Sequence, residues 1–120
     1  MFHLDLLNIF LTILLSFHQH QIRVTHMVHV IARCVIKEGS LEKFLQILND
    51  NIPNVLAEDG CIRYEACLDA DAGVGAPADP NAVTILETWK SPEHLKAHLA
   101  TPHMAAYREA VTPLRESSTV

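Results

Sequence analysis

The sequence holds only three cysteines, Cys34, Cys61 and Cys67, an odd number with neither a CxxC pair nor zinc-type spacing. That excludes a disulfide scaffold and a cysteine-built zinc domain, and it points to packed thiols in a cytoplasmic protein. Basic residues are also few, nine scattered from Arg23 to Arg115 against fourteen acidic ones, for a net charge of −5. A nucleic-acid surface needs a basic patch, so that role is set aside. A glycine-rich phosphate loop, a Ser-His-Asp arrangement and an HExxH motif are all missing, so neither a metal nor a cofactor is expected from motifs. What remains is a chain of 120 residues, 49% hydrophobic and 19% charged, which fits one globular domain.

Residues 1–26, MFHLDLLNIFLTILLSFHQHQIRVTH, do not match the rest. Their apolar run, Leu6–Phe17, falls short of the ~20 residues that span a bilayer. Asp5 precedes it, no Lys or Arg does, and no A-x-A site follows, so it is not a secretory signal. An amphipathic helix, a weak anchor and translated sequence upstream of a true start at Met27 are the readings open, and the last is preferred. The domain is expected over 27–120.

VHVIARCVI (Val28–Ile36) reads as a strand with His29 and Arg33 on the alternate face. After a turn at Gly39, Ser40 is the expected N-cap of a helix over Leu41–Ala57, whose core face carries Phe44, Leu48, Ile52 and Val55. Pro53 predicts a kink or break, and Gly60 a left-handed C′ residue. Cys61–Asp69 alternates, with Ile62, Tyr64, Ala66 and Leu68 on one face. A Gly/Pro/Asp-rich loop (Ala70–Asn81) leads to a third strand, Ala82–Trp89, placing Val83, Ile85, Glu87 and Trp89 together. Ser91-Pro92 starts a helix with Leu95, Leu99 and Ala100 on its apolar side, and Thr101-Pro102 interrupts it before a second piece from about His103 to Val111. SSTV at the end reads as a strand cut short. This β-α-β-β-α-(β) order predicts an α+β, ferredoxin-like split βαβ sheet. Apolar residues on both strand faces suggest that two such sheets meet in a homodimer.

The stretch Glu87–Tyr107 concentrates titratable groups beside apolar walls. Glu87 is a candidate acid or base, with a structural pair to a histidine or Arg33 as the plain alternative. Trp89 either walls a planar ligand or packs the core. His94 and His98 have the i, i+4 spacing of metal ligands, but without the accompanying glutamate His94 reads as an exposed helix histidine. His98, next to Leu99, is expected to turn toward the sheet, and His103 stands at the helix break. Tyr64 and Tyr107 can offer hydroxyls at a pocket rim or serve as core.

The Gly60-Cys61…Tyr64 segment, the loop DADAGVGAPADP and ETW…HLKAHLATPHMAAYREAV together resemble the antibiotic biosynthesis monooxygenase superfamily, in its bacterial quinol monooxygenase branch, over about Met27–Ser118. The resemblance implies a dimeric α/β barrel that oxygenates quinols or related aromatic polyols with O2, without metal or flavin. It makes His98 or Glu87 the proton acceptor, lines the pocket with Tyr64, Trp89, His103 and Tyr107, and has Arg33 steady an oxyanion. Relatives that degrade haem use residues replaced here by Arg33, His98 and Arg108. Another branch isomerises a phosphorylated dione, which is the enzyme alternative; a non-catalytic ligand-binding or stress-associated dimer is the other. Family members continue past SSTV with a strand used in dimerisation, so a weakened dimer is expected.

Overall fold

The computed structural model describes residues 26–120, so the readings of the preceding segment lie outside the described residues. Four strands form one antiparallel sheet in the order β2-β3-β1-β4: β1 (Val28–Ile36), β2 (Cys61–Leu68), β3 (Ala82–Trp89) and β4 (Arg115–Thr119). Three helices, α1 (Leu41–Leu56), α2 (Pro92–Leu99) and α3 (Pro102–Val111), cover one face. This is the expected ferredoxin-like α+β fold, with Ser117–Thr119 of SSTV lying within β4, where Ser118 faces Cys34 and Thr119 faces Arg33 of β1.

Strand alternation decides which side chains reach the helices. Val30 pairs with Glu87, Ala32 with Ile85 and Cys34 with Val83, and across β3 Tyr64 pairs with Glu87, so all these point the same way. Phe44, Leu48 and Val55 of α1 and Met104, Tyr107 and Val111 of α3 close over them. The opposite face presents Arg33, Ile31 (64% exposed) and Leu86 in register.

Four local expectations are corrected. Helix α1 continues through Pro53 to Leu56 without a break. Proline there costs one hydrogen bond, from a carbonyl on exposed Asn49 that water can reach, in the last turn where a break gains nothing. Ser40 does not cap with its side chain, because its backbone is already helical (φ −104°, ψ −2°) and not extended as an N-cap requires. Ile62 leaves the Tyr64 face: a register shift between Cys61 and Arg63 places it in a bulge, exposed. Gly60 is left-handed (φ +79°) as expected, but three residues beyond the C-cap Ala57, where it turns the chain into β2. A Cβ at Gly60 would overlap the His94 ring.

The two later helix starts follow their local chemistry. Ser91 and Thr101 each accept a hydrogen bond from the backbone N–H three residues on, and Pro92 and Pro102 follow them at N1. The pair of caps sets the break between α2 and α3 that forms one wall of the site.

Candidate active site

Between the helix-facing side of the sheet and helices α2 and α3 lies a cavity of about 180 Å3. Val30, Ala32, Ile85 and Leu95 give it apolar walls, and Tyr64, Glu87, His98 and Tyr107 bring polar groups to it. Leu99 and Val120 line it while being 50% and 87% exposed, which marks its opening. An apolar cavity of about 150 Å3 accepts a benzene ring, so this one has room for a single aromatic ring.

His98 is 1% exposed and is the best-held polar group here. Its ring lies 4.5 Å from the Trp89 ring and 5.8 Å from Tyr64. Its Nδ1 meets Oε2 of Glu58 at 2.7 Å. A carboxylate only accepts, so Nδ1 carries the proton and Nε2 is the basic nitrogen left for the cavity. Trp89 does not line the cavity; fully buried behind His98, it donates from Nε1 to Glu87 Oε2 at 2.8 Å. Glu87 is therefore a buried acceptor tied to Trp89, with its carboxylate at the cavity wall. Burial pushes the phenols of Tyr64 and Tyr107 well above the usual tyrosine range, with the Glu87 charge adding to the effect at Tyr64. Both stay neutral hydroxyl donors at any working pH.

Besides Trp89, two residues named for the pocket stand elsewhere. Arg33 projects from the opposite face, where it donates to both carboxylate oxygens of Asp69 at 2.7 Å and to Thr84 Oγ1 at 3.1 Å. The pairing holds the Asp69 carboxyl far below the usual carboxylate range and anchors the loop, whose Asp79 N–H also binds Asp69. Arg33 is thus withdrawn as an oxyanion partner; the cavity's cations are Arg108 and Arg115. His103 faces a separate groove between α1 and α3, where Nδ1 bonds Asn51 Oδ1 at 3.0 Å. Leu99, expected in the core, gives way to His98.

Polar contacts hold α2 in that orientation. His94 Nε2 lies 3.4 Å from Asp59 while its Nδ1 meets Ser91 Oγ at 2.8 Å, and His98 binds Glu58. The i, i+4 histidines dock one turn of helix on two adjacent carboxylates at the α1–β2 corner. Among the described residues no group of three or more potential ligands is placed to hold a metal ion. Sequence reasoning missed Glu58, Cys34, Met104, Arg108 and Arg115; only the spacing of His94 and His98 opposite Glu58-Asp59 carried a signal.

Comparison with known proteins agrees with this fold. The chain is 42% identical over 76 residues to the "Probable quinol monooxygenase YgiN" of Escherichia coli K12, covering 62% of this chain and 69% of that protein. The same figures hold for the protein of that name in Shigella flexneri. Protein SO0527 from Shewanella oneidensis superposes with a TM-score of 0.70 at 29% identity, over 80% of this chain and 87% of that one. A conserved protein from Methanosarcina mazei shares the fold, with a TM-score of 0.71 at 21% identity over 79% and 88% of the two chains. Residues 27–110 match the family described as Antibiotic biosynthesis monooxygenase, and the chain belongs to that family of monooxygenase-type oxidoreductases.

Proposed function

We propose that the protein is a monooxygenase of quinols or related aromatic diols that uses O2 without a resident cofactor. The observation that carries this is the His98 ring, buried and fixed by Glu58, with a free Nε2 in a cavity sized for one aromatic ring. His98 Nε2 takes a hydroxyl proton, and the electron-rich quinolate passes an electron to O2 directly. Recombination forms a ring C–O bond to the peroxide. Once protonated, the peroxide loses water, and the ring carbon ends as a carbonyl. The balance is quinol plus O2 to hydroxyquinone plus water: one oxygen atom enters the ring and the other leaves. The protein's part is to deprotonate, orient and keep water out. Tyr64 and Tyr107 donate hydrogen bonds to substrate oxygens, and Arg108 or Arg115 offsets the quinolate charge in place of Arg33.

The naming of the curated relatives as quinol monooxygenases supports the substrate class. Oxygen-electrode traces with a naphthoquinol in metal-free buffer test it: uptake well above the spontaneous rate is expected, and a rate equal to the protein-free control would remove the activity. No observation favours the dione isomerase or the non-catalytic binder over this reading.

The exposed Ile31 with Leu86 on the helix-free face supports a homodimer built sheet to sheet, the dimeric α/β barrel. Sedimentation reporting only single chains would rule it out. All three cysteines are free thiols, as suits the reducing cytoplasm this reading assumes. Among the described residues no helix is long and apolar enough to cross a membrane.

A further inference from the structure

A base buried at the wall of an apolar cavity needs somewhere to send the proton it collects, and the structure holds a route. Glu58 Oε2, 2.7 Å from His98 Nδ1, also lies 3.4 Å from Nε2 of His103. That Nε2 is buried and is the single buried side-chain nitrogen or oxygen without a hydrogen-bond partner among the described residues. The other His103 nitrogen is spoken for. Asn51 turns its Nδ2 to Met104 Sδ (3.3 Å), so its Oδ1 accepts from Asn54 Nδ2 (3.3 Å) and from His103 Nδ1 (3.0 Å). His103 Nδ1 therefore carries a proton, and in a neutral ring Nε2 is bare and stands 3.4 Å from a carboxylate oxygen, without yet the alignment of a hydrogen bond. Two acceptors opposed in a buried place are unfavourable until a proton arrives between them. His103 also borders the groove of about 310 Å3 between α1 and α3, so its ring joins the partly buried carboxylate to water.

We propose that His98, Glu58 and His103 form a proton path that moves the substrate's proton out of the cavity to His103 and returns it later in the cycle. The path rests on His98 being the base in the reading above. In the outward step His98 Nε2 gains the hydroxyl proton, Nδ1 passes its own to Glu58 Oε2, and Oε2 passes that to His103 Nε2. The cavity then holds the anionic quinolate beside a neutral His98 whose Nε2 keeps the substrate's proton, while the positive charge has moved to His103; the anionic quinolate is the form that reduces O2. In the return step the same transfers run backward and His98 Nε2–H protonates the peroxide that then loses water. No proton is gained or lost overall, matching the balance of the reaction. His98 touches the substrate; Glu58 and His103 act through it as positioning and relay groups.

The test uses the full chain and Glu58→Gln and His103→Ala variants. Glutamine still accepts from His98 Nδ1 but cannot relay a proton. Both variants are expected to lower kcat for naphthoquinol-dependent oxygen uptake on the order of tenfold with KM unchanged. Imidazole added to the His103→Ala protein, entering the open groove, is expected to restore the rate, whereas it does nothing for Glu58→Gln. Unchanged kcat in either variant would overturn the path. Nitrogen-15 spectra of the imidazoles judge it independently of turnover, and so separate its failure from that of the oxygenase reading. In the native chain the neutral rings of His98 and His103 are both expected to carry their proton on Nδ1, leaving each Nε2 bare to receive one. A native His98 or His103 protonated at Nε2 in place of Nδ1 would contradict the proposal.

Discussion

Replacing His98 by glutamine is expected to lower kcat about 10²- to 10⁴-fold, the usual worth of a positioned base, while leaving KM within a few fold. Glutamine is the informative change because its amide can still donate to Glu58 and fill the space against Trp89, yet it accepts no proton. Alanine would mix this loss with a stability cost of about 1–3 kcal/mol from stranding the Glu58 carboxylate, itself largely buried. Steady-state oxygen uptake on folded His98→Gln protein, its melting point checked alongside, reads the effect. A variant that keeps native kcat would show that the ring is held by Glu58 for packing alone, and Glu87 would become the base to examine.

The largest stability effect is expected at Trp89. It is fully buried, stacks on His98 and is the hydrogen-bond donor to Glu87, so truncation to alanine opens a cavity and leaves a buried carboxylate oxygen unpaired. Removal of such an aromatic costs about 3–5 kcal/mol, from a total that for a domain of this size is on the order of 5–15 kcal/mol. The melting temperature is therefore expected to fall by more than about 12 °C. Trp89→Phe separates the two causes: it keeps most of the packing and removes only the N–H, with an expected cost of about 1–3 kcal/mol. Calorimetry that found the phenylalanine variant as unstable as the alanine one would place the whole effect in the Glu87 hydrogen bond. A melting point unchanged in both would show that Trp89 supports neither neighbour.

Much of the fold was legible because it is local. Alternation fixed the strands and put Glu87 with Val83 and Ile85, and the Ser91-Pro92 and Thr101-Pro102 pairs fixed both helix starts. Pro53 misled because a proline rule written for helix interiors was applied to a last turn, where an exposed carbonyl has water to turn to. Arg33 shows a different failure. Its place on the alternate face of β1 was readable, and that face points away from the cavity; the resemblance to relatives assigned it a role that the alternation opposes. Glu58 was not readable, since its partner lies forty residues away and an acid in a turn looks like solvent-facing polarity. His98 turns toward the sheet as expected, but Leu99, placed in the core by a hydrophobic count on α2, does not, because that count takes no account of Glu58 at the α1–β2 corner.

If the protein is a monooxygenase of this kind, one atom of O2 enters the substrate ring. Turnover of a naphthoquinol by the native chain under ¹⁸O₂, with mass analysis of the product, decides it. The expected product is a hydroxyquinone carrying one ¹⁸O atom, with the other in water and no lasting hydrogen peroxide. An unlabelled quinone formed with an equivalent of hydrogen peroxide would contradict it, making the cavity a site of quinol oxidation without oxygen insertion.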